Sequence, residues 1–265
     1  QFTFCKDKGI LEYKNATGEK TNAATICTGF ASESVDLIFA NSTNALAAAA
    51  EATSEIPVVA CSVTDFSSTL GIELTDGKTG INVTGASDLA PIDEQIAMLM
   101  NLIPDVQKVG ILYCSAEPNS VYQSDVISGY LKDMGFEVEV FTFADSNDVA
   151  NVTSAACAAA DVLYIPTDNT AASCAETINN VALPAGTPII SGEENACKGF
   201  GVATLSISYF DIGYIAGEMA AEILVNGANP GEMEIGYAPE VIKKFNADNC
   251  AALGITPPED YVAIG

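Results

Sequence analysis

Arginine, histidine and tryptophan are absent from this chain of 265 residues, and all ten basic residues are lysines. Without His there is no His-based catalytic triad and no imidazole base, and zinc sites that include His are excluded. Without Arg no bidentate guanidinium can grip a carboxylate or phosphate, so an anionic ligand group must rely on backbone N–H groups, hydroxyls, amides or Lys. No G-x-G-x-x-G opens a helix after a strand and no G-x-x-x-x-G-K-[ST] occurs, which removes the dinucleotide and P-loop fingerprints. No cofactor and no metal site is expected. No apolar run reaches the ~18 residues of a membrane span. The opening QFTFCKDKG lacks the charged start and apolar core of a signal peptide.

Acidic residues number 35, giving a net charge of −25. Such a surface repels phosphate backbones and anionic membranes, so nucleic acid is not an expected partner. The eight cysteines form no C-x-x-C pair. Several sit in apolar or alanine-rich surroundings, such as Cys157 in AACAAAD, and read as free thiols acting as small hydrophobes.

Strand-like and helix-like segments alternate along the whole chain, which predicts an α/β fold with parallel sheets. Three apolar runs end alike. Asp36–Ala40 runs into Asn41-Ser42-Thr43-Asn44, Val109–Tyr113 into Ser115, Glu117, Asn119 and Ser120, and Val162–Ile165 into Pro166-Thr167-Asp168-Asn169-Thr170. Each is a short buried strand followed by small polar residues and then a helical pattern. In open parallel sheets ligands sit beyond the carboxyl ends of strands, where helix N-termini present N–H groups. The repeated ending therefore points to a polar small-molecule site.

Helices are expected over 21–34, 43–53, 91–102, 120–134, 147–160, 170–182, 193–197, 209–225 and 246–253, with a β-like stretch at 233–242. The pattern restarts after Pro104-Asp105. Two runs of β-α units and a recrossing tail predict two Rossmann-like lobes around a ligand cleft. Lobe one is placed at 1–103 and 203–227, and lobe two at 104–202 and 228–265, with three chain crossings forming a hinge.

Seven segments, in order, carry a resemblance: DLIFANSTNALAAA, IPVVACSVTD, NVTGASD, VGILYCSAEPNS, DVLYIPTDNTAAS, TPIISGEE and SYFDIGYIAGEMAAEIL, with FNADNCAALGITPPED as a closing helix. Together they resemble the TrpX-type substrate-binding proteins of ABC importers, over roughly residues 12–262. The resemblance implies a periplasmic-binding-protein-like fold of type 1. It also implies an exported, often lipid-anchored, monomeric solute-binding protein, not an enzyme, that delivers an aromatic or large apolar amino acid to an ABC permease and its ATPase. The signal segment would lie outside this chain. The family usually has a further strand and helix before EYKNATGE, whereas eleven residues precede that segment here. The chain either starts within that first unit or has a rebuilt N-terminus. The family's ATP-like turn is Asn41-Ser42-Thr43 in this sequence.

The expected ligand contacts are Ser42, Thr43, Thr64 and Asp65 in lobe one, and Ser115, Glu117, Asn119, Ser120, Asp168, Asn169 and Glu193 in lobe two, with Tyr209. Asp168 would pair with a ligand ammonium or would only cap the helix that follows it. Ser120 and Asn119 would meet a ligand carboxylate or serve as an ordinary cap. Glu117 suits a cation or faces solvent. Phe66, Tyr122 and Tyr209 would stack on an aromatic side chain or pack in a core. Two other functions fit less of the sequence. A ligand-sensing module would share the site. A two-thiol amino-acid racemase would use Cys61 and Cys114, but the racemase C-N-T and G-C-T motifs are absent.

Overall fold

The computed structural model describes residues 11–265, so Cys5 lies outside the described residues. The chain divides into two compact units. One comprises the residues up to Asp88 with Tyr209–Pro239, and the other Leu89–Ser208 with Glu240–Gly265.

The first unit opens with helix α1 (Lys20–Ser32), strand β1 (Ile38–Asn41), helix α2 (Thr43–Ala52), strand β2 (Val58–Val63), helix α3 (Phe66–Leu70) and strand β3 (Val83–Ser87). The second unit runs through α4 (Ile92–Leu102), β4 (Lys108–Cys114), α5 (Pro118–Asp133), β5 (Glu137–Phe143), α6 (Val149–Ala159) and β6 (Val162–Ile165). It continues with α7 (Asn169–Ser173), α8 (Ala175–Ala185), β7 (Ile189–Ser191), α9 (Glu194–Phe200) and β8 (Ala203–Ile207). Helix α10 (Tyr209–Asn226) and strand β9 (Gly236–Tyr237) return to the first unit, and β10 (Val241–Phe245), α11 (Ala247–Leu253) and β11 (Val262–Ala263) close the second.

In the first unit the sheet order is β1-β2-β3-β9, all parallel. Strand side chains alternate between faces. Val83 joins the core that Leu46 and Ala49 of α2 build with Ile38, Val58 and Phe66. Its neighbour Thr84 turns the other way, its hydroxyl donating to Met219 Sδ of α10. Gly236 of β9 also lies against Ile215 and Met219. Helices thus cover both faces, as a doubly wound sheet requires.

The second unit's sheet runs β11-β10-β8-β7-β6-β4-β5, parallel except where β10 pairs antiparallel with β8. Val109, Ile111 and Tyr113 face a core with Val162, Tyr164, Ile96, Leu99 and Ile127. Leu112 and Cys114 face the opposite core with Leu163, Ile165, Ala156, Ile178 and Phe200. Because both faces are covered, these strands read as continuous apolar runs, which is the pattern seen in the sequence.

The crossings fall after Asp88, Ser208 and Pro239 rather than near 103, 202 and 227. Helix α4 packs Ile92, Ile96 and Leu99 into the second unit's core. Strand β8 lies between β7 and β10. Ile235 joins the first unit's core and β9 pairs with β3, so 228–239 belong there. The expected helix over 170–182 breaks at Cys174 into α7 and α8. In α1 the buried residues are Ala23 and Cys27, while Ala24 is exposed.

Gly85 sits at φ +155 in the middle of β3, and a Cβ there would lie 2.0 Å from the carbonyl oxygen of Ala60 on β2. A side chain must push two central strands apart. Gly85→Ala is expected to destabilise the protein by about 2 kcal/mol or more. Gly71→Ala, where φ is +66 but the space is open, should lose about 1 kcal/mol from backbone strain alone. Urea unfolding of both variants checks this, and equal losses would contradict the close-approach argument.

Candidate functional site

In the first unit, polar residues gather beyond the carboxyl ends of β1, β2 and β3. Ser42 caps α2, its Oγ accepting from the Ala45 N–H at 3.4 Å. Its own N–H donates to the Cys61 carbonyl at 2.9 Å. Its φ is +110, a strained value for a residue with a Cβ. Strand β2 carries a register shift between Cys61 and Val63, and Ser62 within it has φ +54. Irregular backbone thus sits at two adjacent strand ends, which is where bulges re-aim side chains at sites. Thr43 is buried. Asp65 caps α3 by accepting from the Ser68 N–H at 2.6 Å.

Asp88, which follows β3, was not among the expected contacts. It is 6% exposed. Thr64 Oγ1 donates to its Oδ1 at 3.2 Å, and the Tyr209 hydroxyl donates to its Oδ2 at 3.4 Å. Ser87 Oγ donates to the Thr64 carbonyl at 3.0 Å, which fixes that corner. The signal was present: Ser87-Asp88 ends an apolar strand as the other polar clusters do. Tyr209 is 38% exposed, so part of its side chain reaches solvent. Phe66 is a core residue and is not available for stacking.

In the second unit the residues after β4 and β6 bind one another. Glu117 is buried and accepts five hydrogen bonds. Its Oε1 takes the Thr170 N–H and hydroxyl, each at 2.7 Å. Its Oε2 takes the Asn169 N–H at 3.0 Å, Asn169 Nδ2 at 2.9 Å and Asn119 Nδ2 at 3.4 Å. Asn119 Nδ2 also donates to the Thr167 carbonyl at 2.7 Å, and Ser120 Oγ reaches the same oxygen at 3.5 Å. Gln123 accepts the Thr167 N–H at 3.2 Å through Oε1 and donates to the Thr167 carbonyl through Nε2 at 3.3 Å.

Asp168 caps α7. Its Oδ1 accepts from the Ala171 N–H and its Oδ2 from the Cys114 N–H, both at 2.7 Å. It is 2% exposed, and Ser120 is fully buried. The atoms expected to meet a ligand ammonium and carboxylate are therefore engaged inside the protein. Glu193 does the same at α9, accepting from the Asn195 and Ala196 N–H groups at 2.7 and 2.5 Å. Of the expected contacts in this unit, Ser115 and Asn169 are exposed. Thr167 and Thr170 are half-buried beside them.

Burial raises the Asp168 carboxyl to about 6, and the neighbouring Glu117 carboxylate adds to the rise, against the N–H groups that hold it down. Burial also raises the Glu193 carboxyl and the Cys61 thiol. A raised thiol is the opposite of what a catalytic thiolate needs. The seven cysteines among the described residues are free thiols. No three metal-ligating side chains come together among the described residues, and no helix there is long and apolar enough to cross a membrane.

The family described as ABC transporter substrate binding protein matches residues 5–264. A tyrosine-binding protein of Clostridioides difficile (strain R20291) is 33% identical over 92% of this chain and 70% of its own length. An ABC domain from Streptococcus pneumonia, solved in complex with L-Trp, is 29% identical, with a TM-score of 0.87 over 94% of this chain and 83% of that one. A conserved domain protein from Vibrio cholerae is 29% identical, with a TM-score of 0.88 over 95% of this chain and 86% of its own.

The Asp168 shift has a sign that can be checked. A carboxyl whose folded pKa is above its unfolded value takes up a proton on folding. Its contribution to stability is full below about pH 4 and is lost as pH rises through about 6. Lowering the pH from 7.5 to 5 should therefore stabilise the wild type relative to Asp168→Asn. Paired thermal melts would show the gap widening on acidification, and a constant gap would contradict the assignment.

Proposed function

The chain belongs to the ABC transporter substrate-binding protein family, and we propose that within it the protein binds an aromatic amino acid through residues beyond the carboxyl ends of its strands. Family members bind solutes rather than turn them over. The related proteins named for tyrosine and solved with L-Trp support the ligand class. The observation that carries the reading is Asp88, a buried carboxylate that two hydroxyls hold in place.

The Asp88 carboxylate accepts from Thr64 and Tyr209, and an α-ammonium is the donor that complements a carboxylate. The Tyr209 ring beside it offers a face for an aromatic side chain. With no Arg in the chain, the ligand carboxylate falls to hydroxyls and backbone N–H groups. Ser42 and Thr43 are the first-unit candidates, and Ser115 and Asn169 the exposed second-unit ones. Asp65 lies on the same edge as Asp88 and adds negative potential for a cation.

Membership of the family supports delivery to an ABC permease driven by its ATPase, and a position outside the cytoplasm. Anchoring by a lipid and a monomeric state are part of the same reading. The three chain passages, after Asp88, Ser208 and Pro239, would act as a hinge.

Because the chain has no Trp, indole fluorescence reports added tryptophan alone. L-Tryptophan, L-tyrosine, L-phenylalanine, L-leucine and a nucleoside, titrated by calorimetry with tryptophan emission in parallel, should show binding of the aromatic amino acids. Asp88→Asn should weaken them by about 1.5–3 kcal/mol, the range for a hydrogen bond to a charged group. Binding of the nucleoside alone would overturn the ligand class, and unchanged affinity in Asp88→Asn would remove Asp88 from the site.

A further inference from the structure

Glu117 follows β4, while Asn169 and Thr170 follow β6, so its carboxylate ties together two loops that are more than fifty residues apart in sequence. We propose that Glu117 is a positioning residue of the binding site, which holds the loop after β6 in its ligand-competent shape without touching the ligand. The proposal rests on the reading that the strand ends of this unit meet the ligand.

Three observations carry it. First, the carboxylate is saturated: five donors converge on two oxygens of a buried side chain, leaving little acceptor capacity for a ligand. Second, the segment it holds is the one that presents exposed Asn169 and half-buried Thr167 and Thr170. Third, the grip is redundant in direction. Asn119, Ser120 and Gln123 of α5 fix the Thr167 peptide on one side, and Asp168 fixes Cys114 and Ala171 on the other. No Lys is hydrogen-bonded or ion-paired to either carboxylate among the described residues. The negative charge of Glu117 is balanced by backbone N–H groups at the start of α7.

This geometry makes Glu117→Gln a sharp probe. A glutamine offers one oxygen and one amide nitrogen. With the nitrogen toward Thr170 it opposes the Thr170 N–H, and with the nitrogen toward Asn169 it opposes the Asn169 N–H. In either orientation one backbone donor is left facing another donor, so the loop must shift.

The test measures L-tyrosine, tyramine and 3-(4-hydroxyphenyl)propionate on wild type and Glu117→Gln, with amide hydrogen exchange of both proteins free of ligand. The expected result is faster exchange at Asn169 and Thr170, and a loss of affinity of about tenfold or more. That loss should have the same factor for every ligand that binds. Thr170→Val, which removes one donor and leaves the carboxylate, should show a smaller loss with the same pattern and serves if Glu117→Gln does not fold. A loss confined to the ammonium-bearing ligands would make Glu117 a direct contact and overturn the proposal. Faster exchange with unchanged affinity would make it a structural residue only, with the same consequence. If the wild type binds none of the three, the ligand reading fails. Unchanged exchange at Asn169 and Thr170 would then defeat the clamp as well, and faster exchange would preserve it.

Discussion

The arrangement beyond β4 and β6 depends on two carboxylates held apart from water without a cation. Glu117 and Asp168 accept N–H groups from Cys114, Asn169, Thr170 and Ala171. Burying an ionised carboxylate is costly unless donors replace its water. Here three of the donors are the first N–H groups of α7, which have no partner inside that helix, and the fourth is the N–H of Cys114 at the end of β4. The helix start needs acceptors and the carboxylates need donors, and each satisfies the other. Burial still raises the Asp168 carboxyl above its ordinary value, and the repulsion from the neighbouring Glu117 charge adds to the rise.

The same logic runs through an acidic chain that lacks Arg and His. Asp65, Asp168 and Glu193 each cap a helix that starts just after a strand. Lysines appear at the periphery, as in the exposed pair of Lys243 with Asp260. One partly buried ion pair, Lys244 with Glu194, stands at α9, and Ser206 also donates to that Glu194. Surface pairs of this kind contribute little. The polar clusters at the strand ends are therefore built from backbone dipoles and hydroxyls, and the first unit adds a buried carboxylate, Asp88, that accepts from Thr64 and Tyr209.

Much of this was legible in the sequence. The three apolar runs marked β1, β4 and β6, because strands covered on both faces read as continuous hydrophobic segments. The polar clusters after them marked the strand ends where the helix caps gather. The roles inside the clusters were not legible. A capping Asp and a ligand-binding Asp use the same atoms, and only burial with two N–H partners assigns Asp168 to the cap. Glu117 was ambiguous because its five donors come from residues nearby in sequence and from a loop some fifty residues on. Unit boundaries failed for a related reason. The amphipathic pattern of α4 shows that it has an apolar face, but not which sheet that face covers. Strand β8 likewise carries no mark of its neighbours, β7 and β10. Asp88 was overlooked because its strand is short and its partner Tyr209 lies far along the chain.

The claim on which the rest depends is that Asp168 is buried beside Glu117 and charged only at the expense of that burial. The most direct measurement is a carbon-13 NMR titration of the Asp168 side-chain carboxyl in the ligand-free protein. The account predicts a midpoint near 6, well above the ~3.9 of an unperturbed aspartate, and a lower midpoint in Glu117→Gln as the repelling charge is removed. A midpoint near 4 in the wild type, unmoved by Glu117→Gln, would contradict it.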